Sequence, residues 1–153
     1  MKISTRSEYA AKALLYLALA EDERKDNKPA QIPAIAHECD IPLKYLEQIL
    51  VVLRNHGVLA SRRGVAGGYF LLKSPEEVTV GDVVRLMDGS SSIASNLPDC
   101  GPVDPICSSI RSLWIEVDSV VAQTLDRVNF ADLREKVKAL RADHDISSMM
   151  FYI

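Results

Sequence analysis

The sequence predicts a mainly α-helical protein with one small β-hairpin. Three observations lead to this prediction. Apolar residues recur at steps of three and four over most of the 153-residue chain. Two short helical patterns, joined by about three residues, occupy residues 32–55. Two short apolar stretches around a glycine-rich turn follow at 58–72. A helix-turn-helix followed by a hairpin is a winged helix, and at 48% hydrophobic content the chain can bury one substantial core.

The first helix is predicted from Thr5 to about Ala20. The spacing from Thr5 to Glu8 matches a capping box, in which a hydroxyl and a carboxylate cap the first turn reciprocally. The Ala/Leu-rich stretch resembles an export signal, but Glu8 and Lys12 interrupt it. No stretch is long enough to span a bilayer. Three cysteines, an odd number, favour a reducing cytoplasm over a disulfide framework.

The third helix is predicted between Pro42, which suits a first turn, and Gly57, which can adopt the left-handed conformation that ends a helix. Four residues at helical spacing form its inward stripe: Leu46, Ile49, Leu50 and Leu53. Its outward residues are Lys44, Tyr45, Glu47, Gln48 and Arg54. The second helix of a helix-turn-helix enters the major groove of DNA. We therefore expect Lys44 and Tyr45 to contact phosphates, and Glu47 and Gln48 to contact the edges of C and A; Glu47 could also be a simple surface charge.

The hairpin is predicted to have strands at 58–62 and 68–72. Arg62 and Arg63 precede its turn, where Gly64 and Gly67 permit positive φ. Arginines at such a position fit a wing that reaches phosphates or a minor groove. Taken without the preceding helix, they would be ordinary solvated charges.

The distribution of charge supports a DNA-binding first half. The formal net charge is −3, but residues 1–73 hold 11 Lys and Arg against 8 Asp and Glu, which gives +3. The remainder holds 7 against 13, which gives −6. A basic first half suits contact with phosphates, and an acidic second half indicates a different role.

A fourth helix completes the predicted DNA-binding domain, residues 1–88. Thr79 can cap this helix with Asp82, and Asp88-Gly89 ends it. Residues 89–104 form a polar loop that is too long for a simple connector. Such loops are usually functional or disordered, and we interpret this one as a sensor loop.

Residues 105–153 are predicted to be dimerisation helices and a tail. Pro105 opens the longest helical pattern, which spans roughly 35 Å. Its heptad-like seam consists of Ile106, Ile110, Leu113, Val117, Val120, Thr124 and Val128. A chain of this size has little left to cover such a seam, which favours a two-fold partner helix and a homodimer. Asn129 can cap a final helix, and the tail 147–153 is expected to be docked.

Cys100 and Cys107 are the second signal for function. Two thiols in a polar loop could bind an iron–sulfur cluster or zinc, or form a disulfide. Two cysteines are too few for an all-cysteine site in one chain, so a metal would need other groups or the other subunit. The candidate ligands are Glu8, His144, Asp99 and Asp104. The alternative role of Glu8 is the capping box, and Cys39 is interpreted as a small buried residue.

No motif for catalysis is present. The sequence has no glycine-rich phosphate loop, no nucleophile elbow and no His-Glu-x-x-His zinc site. A thiol oxidoreductase is disfavoured because the Cys-x-x-Cys spacing is absent. The chain is therefore not expected to be an enzyme.

Several motifs together resemble the IscR and NsrR family of bacterial winged-helix regulators, also called the Rrf-two family. The matching stretches are Met1-Lys2-Ile3-Ser4, Tyr9-Ala10, residues 45–50, Arg63-Gly64, Gly67-Gly68-Tyr69, residues 80–84 and Asp88-Gly89. The resemblance covers about the first 125 residues. It implies a homodimer whose long helices cross, bound to an imperfect palindrome in double-stranded DNA. Many members of this family hold an iron–sulfur cluster on three loop cysteines, often with a fourth ligand from elsewhere, so the resemblance also implies a cluster as a candidate cofactor.

The resemblance is incomplete at the cysteines. Cys100 and Cys107 are similar to the last two of the three, but residues 90–99 contain no upstream cysteine. What the resemblance then implies is a 2Fe-2S rather than a 4Fe-4S site, with Glu8 contributed by the partner subunit. Lys12, one turn after Glu8, is not an ordinary cluster ligand. A protein without any cluster is the alternative.

The sequence thus predicts a cytoplasmic, dimeric transcription regulator, in the first place a repressor. Cys100 and Cys107 would sense iron–sulfur, redox or nitrosative status. One alternative is a cluster-free regulator with a thiol switch or a small-molecule effector. Another is a winged-helix protein-interaction module in which the thiols hold structural zinc.

Overall fold

The computed structural model describes residues 3–24, 28–89, 97, 99–101 and 104–150. Within these residues the chain forms six α-helices and one two-stranded antiparallel sheet. The helices are α1 (Thr5–Arg24), α2 (Ile32–Cys39), α3 (Leu43–Asn55), α4 (Val80–Asp88), α5 (Pro105–Arg127) and α6 (Phe130–Met150), and the strands are β1 (Leu59–Arg62) and β2 (Gly68–Leu71). The order confirms a mainly helical winged helix-turn-helix. None of the described helices is long and apolar enough to cross a membrane.

Ser4 caps the first helix, one residue before the predicted cap. Helix α1 begins at Thr5, and the Ser4 hydroxyl oxygen accepts a hydrogen bond of 3.1 Å from the N–H of Ser7. The predicted Thr5–Glu8 capping box is therefore wrong. The reason is that two hydroxyl residues lie side by side, and only Ser4 also receives a tertiary partner, the carboxylate of Asp88.

The helix-turn-helix has the predicted turn. Asp40 ends α2 in the left-handed conformation (φ 52°), and its N–H bonds the carbonyls of the last turn. Pro42 occupies the position just before α3, rather than inside its first turn as predicted, and Gly57 follows the helix with φ 70°. These two bends set α3 across α2 and expose the outer face of α3.

The core lies between α1, α3, the hairpin, α4 and the start of α6. The predicted inward stripe of α3 is fully buried, in one core cluster with Leu14 of α1, Val83 of α4 and Phe130 of α6. Burying each large side chain contributes about 1.5–3 kcal/mol. The recognition helix, which is α3, itself packs against four elements: α1, α2, β1 and α4.

The strands are one residue shorter at their outer ends than predicted, and they pair antiparallel with Arg62 opposite Gly68. A second backbone pairing joins Ala30 to Tyr69 through bonds of 2.8 and 2.9 Å. Gly68 is required at this close approach, because its φ is +144° and a Cβ there would overlap the carbonyl of Ala30.

Helix α4 has the predicted cap. The Thr79 hydroxyl accepts from the N–H of Asp82, and the Asp82 carboxylate accepts from the N–H of Thr79 at 3.0 Å. Next to this cap, the N–H of Val80 donates a hydrogen bond of 2.9 Å to the carbonyl oxygen of Val128, at the junction of α5 and α6. The junction is thereby attached to the winged helix.

The last two helices differ in their packing. No residue of α5 is buried within the chain. Helix α6 is capped by Asn129 as predicted, and Phe130 and Ala131 at its start are buried. The predicted docked tail is wrong up to Met150, because α6 continues to that residue and leaves Met149 71% exposed. Residues 151–153 lie outside the described part. The division into 1–88, 89–104 and 105–153 stays a prediction.

Candidate nucleic-acid interface

The outer face of α3 is exposed at every predicted contact residue: Lys44, Tyr45, Glu47, Gln48 and Arg54. Within the described residues, the side chains of Lys44, Glu47, Gln48 and Arg54 make no hydrogen bond or ion pair. Polar groups without partners in the protein are available to phosphates and base edges. The face can therefore bind DNA without first breaking contacts inside the protein.

Tyr45 is braced from α1. Its ring meets the ring of Tyr9 edge to face, with the centroids 6.4 Å apart. The ammonium of Lys12 lies 6.0 Å from the centre of the Tyr9 ring. Such an aromatic pair is worth about 0.5–1.5 kcal/mol and restricts the orientation of the exposed ring. The hydroxyl end of Tyr45 is thus presented to solvent from a fixed ring.

The two arginines of the hairpin have different surroundings. Arg62 lies in β1, and its guanidinium is 5.9 Å from the centre of the Phe70 ring. Arg63 lies in the turn, and within the described residues its side chain has no partner. Val65 at the tip is 96% exposed. The wing turn (residues 63–67) therefore presents one unpaired cation and one apolar side chain, a combination that minor-groove proteins use.

The acidic second half has many of its charges neutralised within the fold. Arg85 bridges Asp82 at 3.0 Å and Asp126 at 2.7 Å. Lys138 pairs with Glu135 at 3.0 Å. These exposed pairs contribute little stability, with a median of about 0–1 kcal/mol each. Acidic residues of the second half are thus paired within the fold, whereas the charged side chains on the outer face of α3 are not.

Cys100 and Cys107 form a disulfide, with Cα atoms 5.7 Å apart. Of the alternatives left open by the sequence, this structure has the disulfide. Asp104 accepts bonds of 3.0 Å from the N–H groups of Ile106 and Cys107, which caps α5. Asp99 lies 3.5 Å from Arg111. The segment before α5 is thus attached to the first turns of that helix.

The described side chains of one chain do not fit a metal centre. They contain no group of three His, Cys, Asp or Glu residues placed to hold an ion. Asp99 and Asp104 have the other partners given above, and His144 is exposed on α6. Glu8 is exposed and lies 4.0 Å from Lys12. A cluster on Cys100, Cys107 and Glu8 stays a prediction that requires the partner subunit.

Cys39 is a free cysteine outside this segment. It is half-buried rather than fully buried, and its thiol lies 3.6 Å from the carbonyl oxygen of Lys12. Burial raises the pKa of the Cys39 thiol, which the nearby Lys12 only partly opposes. Cys39 packs against the core, and a thiol with a raised pKa is less nucleophilic.

Three residues that shape this surface were not found by analysis of the sequence: Tyr9, Gln31 and Asp88. Tyr9 and Asp88 belong to stretches that resemble the family, but no local pattern indicates that they meet Tyr45 and Ser4. Gln31 gave one weak signal. It precedes α2 at a position where Ser, Thr, Asp or Asn is preferred, and it makes no cap there.

A helix-turn-helix with an exposed polar recognition face, followed by a basic hairpin, defines the class of winged-helix DNA-binding proteins. The match to a family model covers residues 3–136, and the chain belongs to this family, Rrf2, described as iron-dependent transcriptional regulators. The members of the family are transcriptional regulators and not enzymes. The chain is accordingly a helix-turn-helix transcriptional regulator.

Individual relatives are similar to this chain over most or all of its length. The HTH-type transcriptional regulator CymR of Bacillus subtilis (strain 168) is 34% identical over 153 residues, which is 100% of both chains. The solved structure of CymR (YrzC), the global cysteine regulator of B. subtilis, has a TM-score of 0.75 and 32% identity, covering 89% of this chain and 98% of that one. The oxidized form of Staphylococcus aureus CymR has a TM-score of 0.69 and 34% identity, covering 88% and 97%.

Proposed function

We propose that the protein is a cytoplasmic, homodimeric repressor that binds an imperfect palindrome in double-stranded DNA. The observation that carries the proposal is the unpaired polar face of α3 beside the unpaired Arg63 of the wing turn. In this arrangement α3 lies in the major groove. Arg63 then lies over the adjacent phosphates or minor groove.

The proposed dimer forms through α5. Its exposed apolar residues include Ile106, Ile110, Leu113 and Val120, and they fall on one side of the helix. A stripe of this kind along 23 residues needs a cover. A second copy of α5 supplies one and relates two recognition helices by a two-fold axis, which matches a palindrome.

Two substitutions test the contacts with DNA. Arg63→Ala removes a phosphate contact, so binding should weaken on all sequences and the salt slope should fall by about 1. Gln48→Ala should cost about 1–3 kcal/mol at one base pair and relax the preference there. Both are measured by fluorescence anisotropy on operator and random duplexes at several salt concentrations. Equal losses of Gln48→Ala on both duplexes would exclude base reading by Gln48.

We further propose that Cys100 and Cys107 act as a reversible thiol switch without a cluster. The disulfide is reduced by two equivalents of a small thiol. One thiolate attacks a sulfur to give a mixed disulfide, and the second releases both cysteines as thiols together with the oxidised small disulfide. Two electrons and two protons are thus taken up. The Staphylococcus aureus relative has likewise been solved in an oxidized form.

The switch would act through the start of α5. The bond attaches residues before α5 to its first turn, beside the Asp104 cap. Reduction frees this segment, and oxidation fixes it. Because α5 would be the dimer helix, a change at its start can rotate the two winged helices, so that their spacing no longer matches one turn of DNA. We expect the oxidised form to bind operator more weakly.

The test compares operator affinity under reducing and oxidising conditions for the wild type and for Cys100→Ser, Cys107→Ser and Cys39→Ser. The first two variants should bind with the same affinity in both conditions, because neither can form the bond. Cys39→Ser is the matched control and should respond as the wild type does. A wild-type affinity that is the same in both conditions would refute the switch.

A second candidate is an iron–sulfur sensor with ligands from two chains. Two observations favour it: the family is described as iron-dependent, and Glu8 is exposed and does not cap α1. Anaerobic purification followed by an absorption spectrum, with iron and sulfide assays, separates the candidates. Visible charge-transfer bands with matching iron and sulfide, lost in Glu8→Ala, would favour the cluster. A colourless, iron-free protein that binds operator would favour the thiol switch.

A further inference from the structure

One side chain connects the helix-turn-helix to the wing turn. The Nε2 of Gln31 donates a hydrogen bond of 3.0 Å to the carbonyl oxygen of Val65, 34 residues later. A carbonyl can only accept, so the amide orientation is fixed by this contact. The bond joins the residue just before α2 to the tip of the wing turn.

The backbone of Gln31 belongs to α2. Its carbonyl oxygen accepts from the N–H groups of Ala34 at 3.0 Å and Ile35 at 3.1 Å, which begins the helix. Ile35 is fully buried and joins α2 to the core beneath α3. Gln31 therefore has its main chain fixed relative to the recognition helix and its side chain fixed to the wing turn.

The base and the tip of the hairpin are held differently. The base is fixed by backbone bonds between Ala30 and Tyr69. The turn has its own bond, from the N–H of Gly67 to the carbonyl of Gly64 at 2.9 Å, and the bond from Gln31. Gly64 within the turn and Gly68 directly after it have positive φ, which glycine adopts at little cost. The bond from Gln31 therefore restrains a turn whose glycines allow its backbone to move.

We propose that Gln31 is a positioning residue for DNA recognition. It fixes the angle between the wing turn and α3, so that Arg63 and Val65 meet the minor groove in register with α3 in the neighbouring major groove. This inference depends on the proposed DNA-binding function, to which it adds a residue outside the contact surface. The wing then contributes to sequence preference through the width of the minor groove.

Two variants test the role of Gln31. Gln31→Met keeps the length of the side chain and removes its hydrogen bond without a change of charge. Gln31→Ser removes the bond to the wing but supplies a preferred helix cap for α2. We expect both to bind operator about fivefold more weakly, the equivalent of one net hydrogen bond. The salt slope should not change, because no charge is lost.

Two further readouts separate positioning from a general structural role. Hydrogen exchange at wing amides, that of Gly67 in particular, should be faster in both variants and unchanged in α3. Both variants should also show a smaller preference than the wild type for operators flanked by A·T-rich rather than G·C-rich sequence at the minor groove. Thermal stability should be unchanged in Gln31→Met and unchanged or higher in Gln31→Ser. Gln123→Met, which removes a 3.2 Å bond to Ser119 on α5, is the matched control.

The inference is overturned if Gln31→Met keeps wild-type affinity and wing exchange. It is also overturned if affinity falls equally on both flanking sequences, or if the salt slope falls by about 1, since that would indicate a direct phosphate contact. If the wild type fails to bind duplex DNA at all, the proposed function fails instead. The exchange experiment would still report whether Gln31 restrains the wing turn.

Discussion

Asp88 is the residue that joins the end of the winged helix to its beginning. Its carboxylate accepts hydrogen bonds from the N–H of Ser4 at 3.3 Å, from the Ser4 hydroxyl, and from the hydroxyl of Ser7 at 2.7 Å. Ser7 is 2% exposed, so its hydroxyl depends on this partner. A carboxylate at the N-terminus of α1 also interacts favourably with the helix dipole. Asp88 thereby fixes the helix that braces Tyr45.

The ionisation of Asp88 is coupled to stability. Partial burial would raise the pKa of Asp88, but the hydrogen bonds from Ser4 and Ser7 outweigh it and hold that pKa below its ordinary value. Since folding lowers the pKa, the ionised carboxylate stabilises the fold above the unfolded pKa of about 4. This contribution is lost as the pH falls through the lower folded pKa.

We predict that Asp88→Asn lowers the free energy of unfolding by about 1–3 kcal/mol at pH 7, because charge-assisted bonds are replaced by weaker neutral ones. The difference from the wild type should shrink as the pH falls below about 4. Urea denaturation at fixed protein concentration measures both effects. Asp143→Asn on the exposed end of α6 is the control and should show no change. If the difference in free energy of unfolding between the wild type and Asp88→Asn did not change with pH, the stabilising role of the ionised Asp88 carboxylate would be contradicted.

At the scale of elements, α5 is a long helix without a core in its own chain. Its predicted seam begins with Ile106, which is 80% exposed, and no residue of the helix is buried. Burial of apolar surface contributes about 25 cal/mol per Å². A helix of this composition is therefore expected to be most stable against a partner, as in the proposed two-fold dimer.

We predict that Leu113→Asp converts the dimer to a monomer, because it places a charge in the centre of the apolar seam. Ala122→Asp, on the opposite side of α5, is the control and should leave the dimer intact. Sedimentation equilibrium over a range of concentrations measures the association. Operator affinity should fall with the dimer, since a monomer contacts only one half-site. A dimer that tolerates Leu113→Asp would show that α5 is not the interface.

At the scale of the whole molecule, the winged helix and the last helix share one core. Phe130 is 2% exposed, and its N–H bonds the carbonyl of Val78 at 3.1 Å. Further along α6, Lys138 and Arg141 pair with Asp22 and Glu23 of α1. The chain thus leaves the winged helix through α5 and returns to it through α6. The C-terminal end of α5 is attached to α4 through the pairs Val80–Val128 and Arg85–Asp126.

We predict that Phe130→Ala lowers the free energy of unfolding by about 3–5 kcal/mol, as expected for loss of a fully buried aromatic side chain. Leu140→Ala, on the exposed part of the same helix, should change it by less than about 0.5 kcal/mol. Thermal and urea unfolding of the full chain measure both. A small effect of Phe130→Ala would mean that residues 1–88 form a core of their own.

Local chemistry determined much of this protein from the sequence alone. The short turn between α2 and α3, the cap at Thr79 and the buried stripe from Leu46 to Leu53 depend on residues within a few positions of one another, and all were predicted. The exposed face of α3 follows from the same periodicity. The short-range pattern was therefore sufficient for the fold class and for the candidate contact residues.

Contacts between distant parts of the chain were decided only by the tertiary structure. The cap of α1 moved to Ser4 because Asp88, 84 residues away, selects it. Gln31 bonds Val65, and Phe130 enters the winged-helix core, although no local pattern identifies the partner of either residue. The choice of a disulfide for Cys100 and Cys107 depends on how close the fold brings them. Such pairings depend on packing in three dimensions, which periodicity and capping rules do not encode.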